Sequence, residues 1–267
     1  MKIALIGCGS IGKVIARYIT EKRINAELEC VYDIDTEKAV EFAKKFHTEY
    51  KEFDEILKQE LDLVLEAASQ QAVKTLIPKA LKAKKNVMIM STGALVDEHL
   101  LKKIRELAEK NNLKVYLPSG AIAGLDGIKS AGSEIERVTI RTTKPPESLE
   151  GAPFFEKHQV NLHEIKKPTV IYEGPAEEAV RLFPSNVNVA ASLSLAGIGP
   201  KRTKVQIIAD PDIKSNIHEI IAEGKFGVLR IRSENVPSPD NPKTSYLAAL
   251  SAVATLKKIT EAIQVGT

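Results

Sequence analysis

Tryptophan is absent from this chain, and cysteine occurs only twice, as Cys8 and Cys30. Two cysteines give no disulfide framework, Cys8 and Cys30 do not stand at zinc-framework spacing, and both read as small core residues. Such sparse use fits a reducing, cytoplasmic compartment. No apolar run approaches the length of a membrane span, so no membrane partner is expected. The N-terminal apolar stretch reads as a first strand rather than a signal peptide. A dominant charge sign is missing as well. The net formal charge is +3, with Lys and Glu interspersed, which argues against a nucleic-acid surface. The longest basic runs, such as Lys82-Ala83-Lys84-Lys85, read as a solvated helix end. No His/Asp/Glu cluster has metal-ligand spacing, and the G-x-S-x-G turn of a serine nucleophile is absent. What remains is 267 residues, 43% of them hydrophobic, enough for two modest domains with sizeable cores.

Against these absences stands one strong motif. Ile3, Ala4, Leu5 and Ile6 form a buried-strand pattern, and Gly7, Gly9 and Gly12 follow as G-x-G-x-x-G. Ser10 and Ile11 lie within the motif and are expected to contact the cofactor, and a helical pattern runs from Ile11 to Ile19. Gly7 permits a tight turn out of the strand, Gly9 a close backbone approach to a pyrophosphate, and Gly12 tight packing of helix on strand. The N–H groups at the helix start favour the anion. Asp33 lies 21 positions after Gly12, closing the run Leu28-Glu29-Cys30-Val31-Tyr32. A carboxylate there accepts hydrogen bonds from the adenosine ribose and repels a 2′-phosphate. The following Ile34-Asp35-Thr36-Glu37 offers no Arg to hold such a phosphate. NAD is therefore the expected cofactor, with NADP as the alternative.

The first half alternates strand and helix patterns. Strands are predicted at 3–6, 28–32, 61–66, 86–90 and 114–117, and helices at 11–19, 36–46, 71–83 and 97–110. This alternation predicts an α/β fold with a Rossmann-type doubly wound parallel sheet. The pattern changes near Pro118. Strand-like runs at 137–142, 169–173, 204–209 and 227–232, with helical stretches at 176–183 and 188–196, predict an α+β second domain with a mostly antiparallel sheet. We expect a dinucleotide-binding domain over 1–120 and a substrate domain over 121–241. An amphipathic helix at 244–263, within a C-terminal segment 242–267, is expected to return to the first domain.

Ligands bind such sheets at the carboxyl ends of the strands. Those ends read Gly7-Cys8-Gly9, Asp33, Ala67-Ala68-Ser69, Ser91-Thr92-Gly93 and Pro118-Ser119-Gly120-Ala121. Small residues there either make tight turns or let a nicotinamide and its ribose lie against backbone. Five histidines are present. His47 and His99 belong to exposed helical patterns, and His158 and His163 lie in a polar stretch. His218 follows the turn Ala209-Asp210-Pro211-Asp212. A lone histidine is more often structural than catalytic, yet its imidazole suits proton transfer near neutrality. Asn186 and Asn188 stand at a helix start, where one serves as a cap and the other offers an amide donor.

Several segments together resemble the L-aspartate dehydrogenase family of archaea and bacteria. They are Ile6–Gly12, Leu117–Ile122, Asn188–Gly197, Ile208–Pro211, Asn216-Ile217-His218 and Asn241–Ser245. The resemblance covers nearly the whole chain. It implies oxidation of L-aspartate by NAD(P) to iminoaspartate, which hydrolyses to oxaloacetate or feeds quinolinate synthesis. It implies the catalytic position for His218 and cofactor contacts for Ala121 and Asn188. Asn188, Lys243 and backbone N–H groups near Gly120–Ala121 are candidate donors to the substrate carboxylates. A homodimer with a functional link to quinolinate synthase is expected. Two alternatives stay open: a dihydrodipicolinate- or homoserine-type reductase of the same architecture, and a non-enzymatic NAD-sensing protein.

Overall fold

The structure, a computed structural model, describes residues 1–184, 187–238 and 241–266, without the side chains of Pro242 and Lys243. The chain divides into two units. One comprises Met1–Pro118 and Ala249–Val265, and the other comprises Ser119–Ala248 with Gly266.

The first unit runs β1 (Lys2–Ile6), α1 (Ser10–Thr20), β2 (Glu27–Tyr32), α2 (Thr36–Phe46), β3 (Glu49–Tyr50), α3 (Phe53–Ile56), β4 (Leu63–Glu66), α4 (Gln70–Lys82), β5 (Asn86–Ile89), α5 (Glu98–Lys110) and β6 (Val115–Tyr116). Six parallel strands lie in the order β3-β2-β1-β4-β5-β6. The doubly wound sheet is thus present, and its order reverses between β1 and β4, the place where such sheets open a ligand crevice. Strands β1 and β4 are buried along almost their whole length. That is why they read as continuous apolar runs rather than alternations. Asp35, Ser69 and Asp97 cap α2, α4 and α5 by accepting backbone N–H bonds. The two-residue β3 and one-turn α3 are too short to leave a periodic signature, and no element was expected there.

The second unit continues with α6 (Leu125–Ala131), β7 (Ile135–Lys144), α7 (Phe154–Lys157), β8 (Thr169–Pro175), α8 (Ala176–Leu182), α9 (Asn188–Ala196), β9 (Thr203–Ala209), β10 (Asn216–Gly224), β11 (Gly227–Asn235), β12 (Pro237–Ser238) and β13 (Asn241–Ser245). Its five-stranded sheet has the order β11-β10-β7-β9-β8. Only the β7–β9 pairing is parallel. Alternation sorts its faces. Val138, Ile140, Thr142 and Lys144 of β7 are buried. Arg137 and Arg141 point the other way, to Glu223 and Gln206. Strand β10 was not expected, because its polar start masks the later alternation of Ile220 and Ala222.

The last helix, α10 (Tyr246–Thr260), starts two residues later than its pattern suggests, since Asn241–Ser245 pairs with β12 instead. Ala252, Val253 and Leu256 of α10 join the core formed by Leu5, Ile15, Leu65 and Met88. Among the described residues, no helix is long and apolar enough to cross a membrane.

Candidate active site

The three motif glycines have different reasons to be glycine. Gly7 has φ +102°, and a Cβ on it would stand 2.5 Å from the Ala67 carbonyl oxygen. A Cβ on Gly12 would stand 2.3 Å from the Gly7 carbonyl oxygen and 3.3 Å from Leu5 Cδ2. Both are demanded by the fold itself. A Cβ on Gly9 would meet nothing within 4 Å. The protein leaves that space open, as a group approaching the turn requires. Gly9 also caps α1 without a side-chain hydrogen bond, and the first turn of α1 carries no acidic residue. The other long helices of the parallel sheet are capped by an Asp or Ser. The helix start that keeps its dipole for an anion is therefore the one at the glycine turn. These features fit a dinucleotide pyrophosphate.

Asp33 is held at the end of β2. Its carboxylate accepts from the Cys8 N–H at 2.8 Å, the Asp35 N–H at 3.1 Å and Lys38 Nζ at 2.8 Å. Burial works to raise its pKa. The Lys38 bond and the two backbone donors outweigh burial and keep the group below the usual carboxylate range. The neighbouring thiols are core groups. Burial pushes Cys8 up to about 12 and Cys30 up to about 11, so neither is a nucleophile near neutrality.

In the sequence Glu66 marks only the end of a strand, and the structure gives it more to do. It is fully buried, and its carboxylate accepts from Ala68 N–H at 2.8 Å, Ser91 N–H at 3.0 Å and Ser91 Oγ at 2.8 Å. It ties the turn Ala67-Ala68-Ser69 to the turn after β5. Ser69 itself is occupied as the α4 cap, accepting from Ala72 N–H at 3.1 Å.

In the second unit, β10 and β7 place His218 directly opposite Thr142. The imidazole is 2% exposed, and its Nδ1 lies 3.0 Å from Thr142 Oγ1. Lys144, two residues further along β7 on the same face, is 4% exposed. Burial first, and the Lys144 charge second, press the His218 pKa down to about 3. Burial also lowers Lys144 to about 8. Neither Thr142 nor Lys144 was singled out from sequence. The signal was available: the alternation Val138, Ile140, Thr142 runs on to Lys144 and puts a cation on the buried face.

Segments distant in sequence converge here. Asn216 lies opposite Asn235 across β10 and β11. Asn235 Nδ2 donates to the Ala121 carbonyl at 2.9 Å, and Asn216 Nδ2 donates to Ser245 Oγ at 3.1 Å. Ala121, the start of β10 and the end of β13 are thereby tied together. Asn188 is the first residue of α9, and the cap is Val187, so Asn188 is not the capping residue. Asn186 and the Lys243 side chain fall outside the described part of the structure. Of the other histidines, His47 ends α2 in the left-handed region, and His99 is exposed at the start of α5. His158 stacks on Phe154, and His163 faces Glu150 at 3.6 Å.

Comparison with known proteins decides between the families that share this architecture. Residues 7–118 match the NAD-binding domain of homoserine dehydrogenase, and residues 126–259 match the C-terminal domain of aspartate dehydrogenase. The L-aspartate dehydrogenase of Methanosarcina barkeri is 54% identical over 271 residues, covering 100% of both chains. The chain belongs to the L-aspartate dehydrogenase family. The Nitrosopumilus maritimus member is 49% identical, with 100% of this chain and 99% of that protein covered. The crystal structure of aspartate dehydrogenase from Thermotoga maritima superposes with a TM-score of 0.76 at 31% identity, covering 100% of this chain and 99% of that one. A myo-inositol dehydrogenase from Sinorhizobium meliloti, at 16% identity and a TM-score of 0.59, shares the fold alone.

Proposed function

We propose that this chain is an oxidoreductase that converts L-aspartate to iminoaspartate with NAD, and that His218 is its proton-transfer residue. The observation that carries the reading is the buried His218–Thr142 pair beside Lys144, at the convergence of the family-like segments. When bound, NAD accepts the hydride that leaves the aspartate α-carbon. The substrate ammonium must shed a proton before a C–N double bond forms. His218 is neutral at working pH, and it takes that proton once a substrate carboxylate beside Lys144 has offset the charge that helps depress its basicity. With Nδ1 directed at Thr142, the atom assigned to this transfer is Nε2. For Nε2 to be basic, Nδ1 carries the hydrogen and donates it to Thr142 Oγ1.

The two substrate carboxylates need donors. The Lys144 ammonium, close enough to His218 to depress its pKa, meets one of them. Asn188 and the backbone near Ala121 are further donors in this reading, and Lys243 keeps the role given by resemblance. The first unit holds the cofactor through Gly7, Gly9, Ser10, Ile11 and Gly12, through Asp33, and through the Ala67–Ser69 turn.

The rivals fare worse. A homoserine-type reductase fits residues 7–118 but not the aspartate dehydrogenase match over 126–259. A sensor has no use for a proton-transfer pair. The reading includes a cytoplasmic homodimer that passes its imine to a quinolinate synthase. Two free, buried thiols suit the reducing compartment.

The test is a spectrophotometric screen of amino and hydroxy acids with NAD and NADP, following reduced-cofactor absorbance. L-aspartate should be oxidised and L-glutamate should react poorly. One extra methylene displaces the α-carbon or the distal carboxylate, and a small misplacement costs on the order of 100-fold. Equal turnover of glutamate, or activity on hydroxy acids alone, overturns the assignment.

Asp33→Ser should weaken NAD binding by about 1–2 kcal/mol, the scale of lost charge-assisted hydrogen bonds. It should also raise the NADP-to-NAD ratio of kcat/KM. An unchanged ratio removes Asp33 from the ribose.

A further inference from the structure

In the sequence Asp33 stands as an isolated carboxylate followed by four residues without a basic side chain, a pattern that disfavours NADP. The structure changes both premises. Lys38, one residue beyond that stretch, is the third residue of α2, and the first helical turn brings it back to the end of β2. Its Nζ lies 2.8 Å from Asp33 Oδ2. The Asp33 side chain is 10% exposed and that of Lys38 is 44% exposed. The carboxylate is thus the inner member of the pair and the ammonium the outer one.

Three donors already converge on Asp33, from Cys8, Asp35 and Lys38. A carboxylate offers about four lone-pair sites, so roughly one remains for a ribose hydroxyl. A 2′-phosphate arriving at the same ribose meets a paired, formally neutral Asp33–Lys38 unit rather than a bare negative charge. The nearest other acid on this turn is Asp35, and its carboxylate is engaged as the α2 cap by the Lys38 N–H at 3.1 Å. Glu37 is exposed on the first turn of α2. A lysine ammonium is a mobile point charge with three donors, well suited to a phosphate that is present in one ligand and missing from another.

We propose that Lys38 is a cofactor-specificity residue whose ammonium binds the 2′-phosphate of NADP. With NAD the ammonium stays on Asp33. With NADP it exchanges the carboxylate for the phosphate, or bridges the two. Asp33 and Lys38 then act in opposite directions on one choice. This rests on the glycine turn and Asp33 being the dinucleotide cradle proposed above.

The test uses the adenosine half alone, so that it does not depend on turnover. Binding of adenosine 2′,5′-bisphosphate and of 5′-AMP is measured by isothermal titration calorimetry for the wild type, Lys38→Gln, Lys38→Glu and Lys38→Arg. The wild type should bind the bisphosphate at least as well as 5′-AMP. The ratio of the two affinities should fall roughly 10- to 100-fold in Lys38→Gln, the range for a lost hydrogen bond between charged groups. It should fall further in Lys38→Glu and largely recover in Lys38→Arg. The NADP-to-NAD ratio of kcat/KM should follow the same order. A ratio that Lys38→Gln leaves unchanged overturns the proposal, as does a wild type that binds 5′-AMP and rejects the bisphosphate. If the wild type binds neither nucleotide nor NADH, the dinucleotide cradle itself is wrong, and this proposal falls with it.

Discussion

His218→Ala is expected to keep its NAD affinity near wild type and to lose roughly 100- to 10,000-fold in kcat, the range for a missing general base. His218 is buried on β10, and alanine leaves a cavity. His218→Asn should accompany it, since it retains bulk and a polar atom near Thr142 but no titrating ring. His158→Ala and His163→Ala serve as controls and should change activity little. If His218→Ala and His218→Asn both fold and keep near-normal kcat, the histidine mechanism fails.

The pH profile sharpens this test. Sequence alone suggests a limb near the ordinary imidazole value of 6.5. In the folded protein burial, and then the Lys144 charge, push the group down to about 3. The acid limb of kcat/KM, which reports the free enzyme, should therefore lie well below neutrality. A substrate carboxylate beside Lys144 cancels part of that field, so the limb in kcat should lie at higher pH. Stability follows the same logic. The unfolded chain binds this proton more readily than the folded one, so stability is lost as pH falls from about 6.5 toward 3. His218→Asn should lack that contribution in a series of Tm against pH.

Lys144→Met is the second large effect. Removing a buried cation from its anionic partner costs about 2–5 kcal/mol, so kcat/KM for aspartate should fall roughly 30- to 5,000-fold, mostly through KM. Methionine occupies a similar volume, so the variant should keep its fold, and circular dichroism checks this before the kinetics are read. Burial holds the Lys144 ammonium down to about 8. The charged form exists below that value and is lost as pH rises through it. The wild-type kcat/KM should carry a falling contribution above about pH 8 that the methionine variant lacks. The His218 limb should also move toward its ordinary value once this charge is gone. An unchanged KM for aspartate removes Lys144 from the substrate.

The parallel sheet was legible because each of its signals is local. A four-residue apolar run such as Ile3–Ile6, a glycine turn, and a helix capped by its own neighbours all lie within one short window. The place of Asp33 at the end of β2 was legible for the same reason, since its distance from the glycines is set by one helix and one strand. In the second unit the exposed strands betrayed themselves by alternation, but β10 did not. Its first residues, Asn216 and His218, are polar and buried, and polarity in sequence reads as surface.

What the sequence determined by itself is therefore the cofactor half: strand, turn, helix and acid are contiguous, and the physics that joins them acts over a few residues. Tertiary structure decided the rest. Strand pairing between β7 and β10 set Thr142 against His218 and brought Lys144 close enough to lower its pKa. The first turn of α2 carried Lys38 back to Asp33, and Glu66 tied two turns together from inside the core. Each of these depends on a charge or hydrogen bond between residues that only the fold makes neighbours. The linear pattern shows at most which face a residue occupies, as the alternation does for Lys144, and the fold decides which partner it meets there.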